Sequence, residues 1–190
     1  MDLEQAEKIA AAFAAYRKSH RYLAFDLYKQ LADSGHAESQ IFIAWMLSQG
    51  IGCSTSETEA AKYYELAAAL GHPVGCFYYG RWLTKTGEHN KAYDFYLRGM
   101  QGKHLPSMFR VGYSLANGKG VDIDLRRAYE MLQTASMQGH AYAWREMAIL
   151  DLKGGRGLLW IPIGLLEFVV ALFWGITVSV FNKHSDLLRG

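Results

Sequence analysis

The sequence predicts an all-α chain: a right-handed α-solenoid of helix-turn-helix repeats, followed by an apolar C-terminal helix. Three observations carry that expectation. Residues 37–72 lie on residues 105–140 without a gap when shifted by 68 positions, with a further unit between them. Self-similarity at a period in the thirties marks a helical repeat array. Small residues recur at matched places, Gly50 with Gly118, Gly52 with Gly120, Ala60 with Ala128, Ala67 with Ala135 and Gly71 with Gly139. Last, residues 158–181 read LLWIPIGLLEFVVALFWGITVSVF, an apolar run long enough for a membrane span.

The elements follow in order. Residues 2–16 are rich in Ala, Glu and Lys with few breakers, which favours a helix. A second helical pattern over 21–31 stops at Gly35-His36 and carries Ala24, Tyr28 and Ala32 where the next unit has Ala60, Tyr64 and Ala68. It reads as an incomplete first repeat, the cap that an open-ended stack needs. In the second unit Ile41, Ala44, Trp45 and Leu47 lie at helical spacing, and Gly50-Ile51-Gly52 breaks the helix. Ser56 and Glu59 have the spacing of a capping box, which starts a helix that stops at Gly71. The third unit, residues 73–104, is four residues shorter and puts Lys85-Thr86-Gly87 for the Gly-x-Gly turn. The fourth is the most complete, with Asp124 as the N-cap of its second helix. A fifth opens at Ala141, keeps Ala148 and Gly154 in register, and then departs from the pattern.

These units resemble Sel1-like repeats, relatives of tetratricopeptide repeats. The fourth unit supplies Gly112, Leu115, Gly118, Gly120-Val121, Asp124, Arg127-Ala128, Leu132, Ala135 and Gly139. It departs at Leu115, where the family prefers Tyr, and at Met131, where it prefers Trp. The second unit matches at its glycines and at Ala60, Tyr63-Tyr64 and Ala67-Ala68, but puts Cys53 for Val and Ser56 for Asp. The resemblance covers residues 21–157. It implies adaptor or scaffold surfaces for protein complexes, with no catalysis and no cofactor.

Composition narrows the function. A net charge of +2 without a long run of like charge argues against nucleic acid. Five Trp, twelve Tyr and nine Phe are read as spacers between stacked helices. Cys53 and Cys76 have no metal-ligand spacing and suit a reducing compartment. His36, His72, His104 and His140 recur at unit ends, but equivalent positions in a stack are displaced by about 10 Å per helix and do not converge on one ion. A helix-end role beside the C-terminal dipole is expected instead. Gly118-Lys119-Gly120 lacks the strand and spacing of a phosphate loop. No catalytic or metal constellation emerges. First-helix residues Gln40, Arg81, Tyr113 and Trp144 are the candidates for a concave partner-binding face.

The tail divides the chain into a repeat domain over 1–157, an apolar segment over 158–181 and a polar end over 182–190. At about 1.5 Å per residue a helix over the apolar segment would reach about 36 Å, beyond a hydrocarbon core of about 30 Å. Trp160 and Trp174 are interface candidates. Glu167 is an intramembrane polar candidate, a carboxyl that costs about 2–3 kcal/mol in mid-span. The alternatives are a tail that folds back to seal the apolar end of the stack, an oligomer interface, or a break at Pro162 and Gly164. The N-terminus lacks the pattern of a secretory signal, so the repeats are expected in the cytoplasm with one pass through a bacterial inner membrane. The expected function is a membrane-anchored adaptor for a protein or peptide. The alternative is a subunit or regulator of an envelope polysaccharide or cell-wall enzyme complex, its tail docking another subunit.

Overall fold

The loops decide where the helices end, and the same bonds recur in each loop. In a computed structural model, which describes residues 3–152, 162–166, 169–170 and 173, the described residues are helical or in short turns. The helices are α1 (Leu3–Arg17), α2 (Arg21–Asp33), α3 (Ala37–Gln49), α4 (Glu57–Ala69), α5 (Pro73–Lys85), α6 (His89–Gln101), α7 (Leu105–Asn117), α8 (Leu125–Met137) and α9 (Ala143–Leu152). Residues 162–166, 169–170 and 173 are also helical. The first repeat is therefore fuller than its sequence pattern, because α1 packs on α2 as its missing partner.

Within hairpins, the amide of the second helix's N-cap returns to a leucine carbonyl of the first. Ser56 donates to Leu47 at 3.0 Å, Glu88 to Leu83 at 2.8 Å and Asp124 to Leu115 at 3.0 Å. Ser56 Oγ accepts from the Glu59 amide at 3.3 Å, one half of the expected capping box. The return bond is replaced, since the Ser56 amide already serves Leu47. Asp124 accepts from the Arg127 amide at 2.9 Å, as its position predicts. Between hairpins, the amides of His36, His72, His104 and His140 close back on Leu31, Ala67, Gly99 and Ala135. The residue before each histidine takes a left-handed φ, Gly35, Gly71, Lys103 and Gly139 in turn.

Backbone contacts divide the chain into two units, residues 1–104 and 105–190. The division falls inside the 1–157 segment that the sequence reads as one domain. In the first unit each of α1 to α6 packs on its neighbour in sequence. Alanines Ala24, Ala60 and Ala92 are at most 3% exposed and let paired helices approach closely. Tyr28, Tyr64 and Tyr96, one turn further on, fill the space beside them. In the second unit α7 packs on α8 and α8 on α9, with Ala128, Leu132 and Ala135 wholly buried. At Gly112 an added Cβ would stand 2.9 Å from Leu132 Cγ, so the small residue on α7 is matched to the large one on α8.

Among the described residues no helix is long and apolar enough to cross a membrane. Much of the expected span over 158–181, Glu167 with it, lies outside the described residues. Gly164 is not at a break. It sits among helical residues and packs on α9, where an added Cβ would meet Asp151 Cβ at 2.7 Å and the Ala148 carbonyl oxygen at 3.1 Å.

Candidate functional site

The first helices of the hairpins carry the side chains that packing leaves accessible. Trp45 on α3 and Arg81 on α5 occupy the same repeat position, and neither is buried. Trp45 leans on Phe42 and Tyr16, with ring centroids 5.3 and 6.1 Å away. Arg81 lies over two rings of its own helix, 5.8 Å from the Phe77 centroid and 5.7 Å from that of Tyr78. Tyr78 in turn stacks on Tyr64 of α4 at 4.8 Å. These contacts hold the guanidinium on an aromatic shelf by cation–π attraction. Arg81 takes part in none of the ion pairs found among the described residues.

The second unit has an aromatic set of its own. Phe109 on α7 stacks on His140 at 4.2 Å and lies 6.3 Å from Tyr113. Trp144 on α9 is half-buried, and its neighbour Arg145 lies 5.4 Å from the Tyr142 ring while pairing with Glu146 at 2.9 Å.

Of the four expected face residues, Arg81, Tyr113 and Trp144 remain at least partly exposed. Gln40 does not. It is 4% exposed, and its Nε2 donates to the Ala32 carbonyl at 3.2 Å, so it contributes a buried bond between α2 and α3 rather than accessible surface. The reason is phase. Gln40 is the fourth residue of α3, whereas Trp45, Arg81 and Tyr113 are each the ninth of their helix. Trp45 was missed, although its match to Arg81 and Tyr113 across the repeat could have found it.

The histidines also take a different role from the expected C-terminal one. His36 and His72 are N-caps of α3 and α5. Nδ1 of His36 accepts from the Ser39 amide at 3.2 Å, and Nδ1 of His72 accepts from the Val74 amide at 3.3 Å. Each ring nitrogen thus supplies an acceptor to a free amide at the start of its helix, the N-cap role that a hydroxyl or carboxylate oxygen fills at Ser56 and Asp124.

His104 and His140 are held neutral by their surroundings. Burial pushes the His104 imidazole below its ordinary value, helped by His72. Burial and then Arg110 do the same to His140. Their contribution to stability is therefore whole above the ordinary value of 6.5 and is lost as pH falls towards the lower folded values. The melting midpoint should be lower at pH 5 than at pH 7.5, and the drop should shrink in a His104→Gln/His140→Gln variant. An equal drop in that variant would assign the pH dependence to other groups.

Neither thiol is activated, since burial raises both Cys53 and Cys76 above the ordinary value. Among the described residues no cluster of His, Cys, Asp or Glu is arranged to hold a metal ion.

A model of the Sel1 repeat matches residues 18–36, 37–72 and 105–140, passing over the short-looped third unit. The chain is 26% identical over 174 residues to the exopolysaccharide production negative regulator of Rhizobium meliloti, covering 80% of this chain and 65% of that one. It is 27% identical over 120 residues to the chitin synthase regulator SKT5 of Saccharomyces cerevisiae, covering 60% of this chain and 17% of that one. Among solved structures, a Sel1 repeat protein from Oxalobacter formigenes superimposes with a TM-score of 0.69 at 22% identity, over 86% of this chain and 73% of that one. A protective antigen of uropathogenic Escherichia coli with an SLR fold gives 0.68 at 20% identity, over 78% and 36%. Helix pairs, Gly-x-Gly turns and these likenesses agree: the chain carries Sel1 repeats over residues 18–36, 37–72 and 105–140 and shares the fold of Sel1 repeat proteins.

Proposed function

We propose that this chain is a non-catalytic adaptor whose first-helix face holds an acidic segment of a protein partner. The observation that carries the reading is Arg81, an exposed guanidinium backed by Phe77 and Tyr78 and unpaired with any described carboxylate. Such a group offers a partner carboxylate a fixed, planar donor, while Trp45 at the equivalent place on α3 offers apolar area. Arginine and tryptophan are the residue types most enriched where binding energy concentrates. The relatives are regulators of exopolysaccharide production and of chitin synthase, which supports a partner belonging to a complex that makes polysaccharide.

Capture of partners from the source cell by the full chain, compared with a Trp45→Ala/Arg81→Ala variant, tests this. Loss of a binding hot spot of about 2 kcal/mol corresponds to recovery of an acidic partner falling by more than tenfold. Undiminished recovery by a variant with unchanged helicity would remove the face from the binding site.

A further inference from the structure

The sequence of the apolar segment keeps the register of the repeat. A shift of 36 positions places α8 on the tail: Ala128 falls on Gly164, Leu132 on Phe168, Ala135 on Ala171 and Gly139 on Gly175. The sequence thus keeps the small, large, small and glycine order of the second helix. The described geometry agrees at Gly164. Ala128 is wholly buried in α8, and Gly164 is buried against Ala148, Asp151 and Leu152 of α9.

The outward positions change chemistry. Arg127, Glu130, Gln133 and Thr134 of α8 are exposed. Their counterparts are Ile163, Leu166, Val169 and Val170, which stand 42, 66, 41 and 43% exposed. Leu165 and Phe173 add 56 and 68%. A contiguous apolar face of this kind marks an interaction surface rather than a solvated one.

We infer that this face docks on the surface of a lipid bilayer, with the segment held to the repeat by Gly164. Among the described residues the face is aliphatic with one phenylalanine and carries no polar side chain, which suits the non-directional attraction of acyl chains. The sequence around it carries Lys153 and Arg156 before, Lys183 and Arg189 after, and Trp160 and Trp174 nearer in, residue types favoured at the headgroup level of anionic membranes. A span free in the bilayer needs lipid on all sides. Contact between Gly164 and the α9 backbone leaves no room for it on one side.

Flotation of the full chain with vesicles of phosphatidylglycerol and phosphatidylcholine in equal parts tests the inference. The expected result is flotation that alkaline carbonate reverses. Restoring the α8 row with Ile163→Arg, Leu166→Glu, Val169→Gln and Val170→Thr should lower vesicle partition at least tenfold while leaving helicity and the melting midpoint unchanged. Should the quadruple variant fail to fold, Leu166→Glu alone serves, with the same direction expected. Retention in vesicles after carbonate would overturn the inference in favour of a span. A wild-type chain that does not float also overturns it, and dimers that the quadruple variant abolishes would then assign the face to a second copy. Equal flotation of variant and wild type would overturn it as well.

Discussion

Replacing Gly52 by alanine should lower the stability of the first unit by about 3 kcal/mol. Two independent effects add at this residue. Its φ is +69°, a left-handed conformation that costs an L side chain about 1–2 kcal/mol. An added Cβ would also stand 2.2 Å from the Arg21 carbonyl oxygen and 2.6 Å from its carbon. Those are backbone atoms at the start of α2, so relief requires the α3–α4 loop or α2 itself to move, a strain comparable to overpacking at about 1–3 kcal/mol. Urea unfolding followed by far-ultraviolet dichroism measures the change. A loss below about 1 kcal/mol would mean that the loop shifts freely and that its approach to α2 contributes little.

That loop also marks how far the sequence could be read. The Gly-x-Gly turn, the caps at Ser56 and Asp124 and the buried alanine-tyrosine pairs were legible because each rests on a few local contacts repeated along the chain. The matched bonds from Ser56 to Leu47 and from Asp124 to Leu115 are that repetition in three dimensions. What was not legible depends on phase or on competition between acceptors. Gln40 and Trp45 differ by five residues on one helix, and only packing against α2 decides that the first is inside. Glu59 has the right spacing to complete a capping box, but Leu47 supplies a backbone carbonyl to the same Ser56 amide. A histidine after a left-handed glycine reads equally as the end of one helix or the start of the next. The Nδ1 bonds of His36 and His72 decide for the start. In the tail the apolar outward residues obscured the register, because Gly164, Phe168, Ala171 and Gly175 are few among many hydrophobic neighbours.

Gly75 is the most consequential position that the pattern hid. The third residue of α3, α5 and α7 is small and buried, Ser39, Gly75 and Ser107 in turn, but the middle one breaks the identity and no single residue type marks the position. At Gly75 the reason is direct contact between successive hairpins. An added Cβ would lie 2.7 Å from Ala67 Cβ, 2.8 Å from the Ala68 nitrogen and 2.9 Å from the Ala67 carbonyl carbon. A flexible side chain could yield at that distance, but the α4 backbone cannot without moving the helix. Gly75→Leu should therefore separate α5 from α4 and lower stability by about 3 kcal/mol or more, beyond the usual overpacking range because backbone rather than side chain must give way. Against a total of about 5–15 kcal/mol for a domain, that is enough to break the cooperativity between hairpins. The expected signature is a biphasic urea transition, with the α1–α4 and α5–α6 hairpins unfolding separately. A single transition at the wild-type midpoint would show that α4 and α5 slide past one another and that close approach at Gly75 does not join the hairpins.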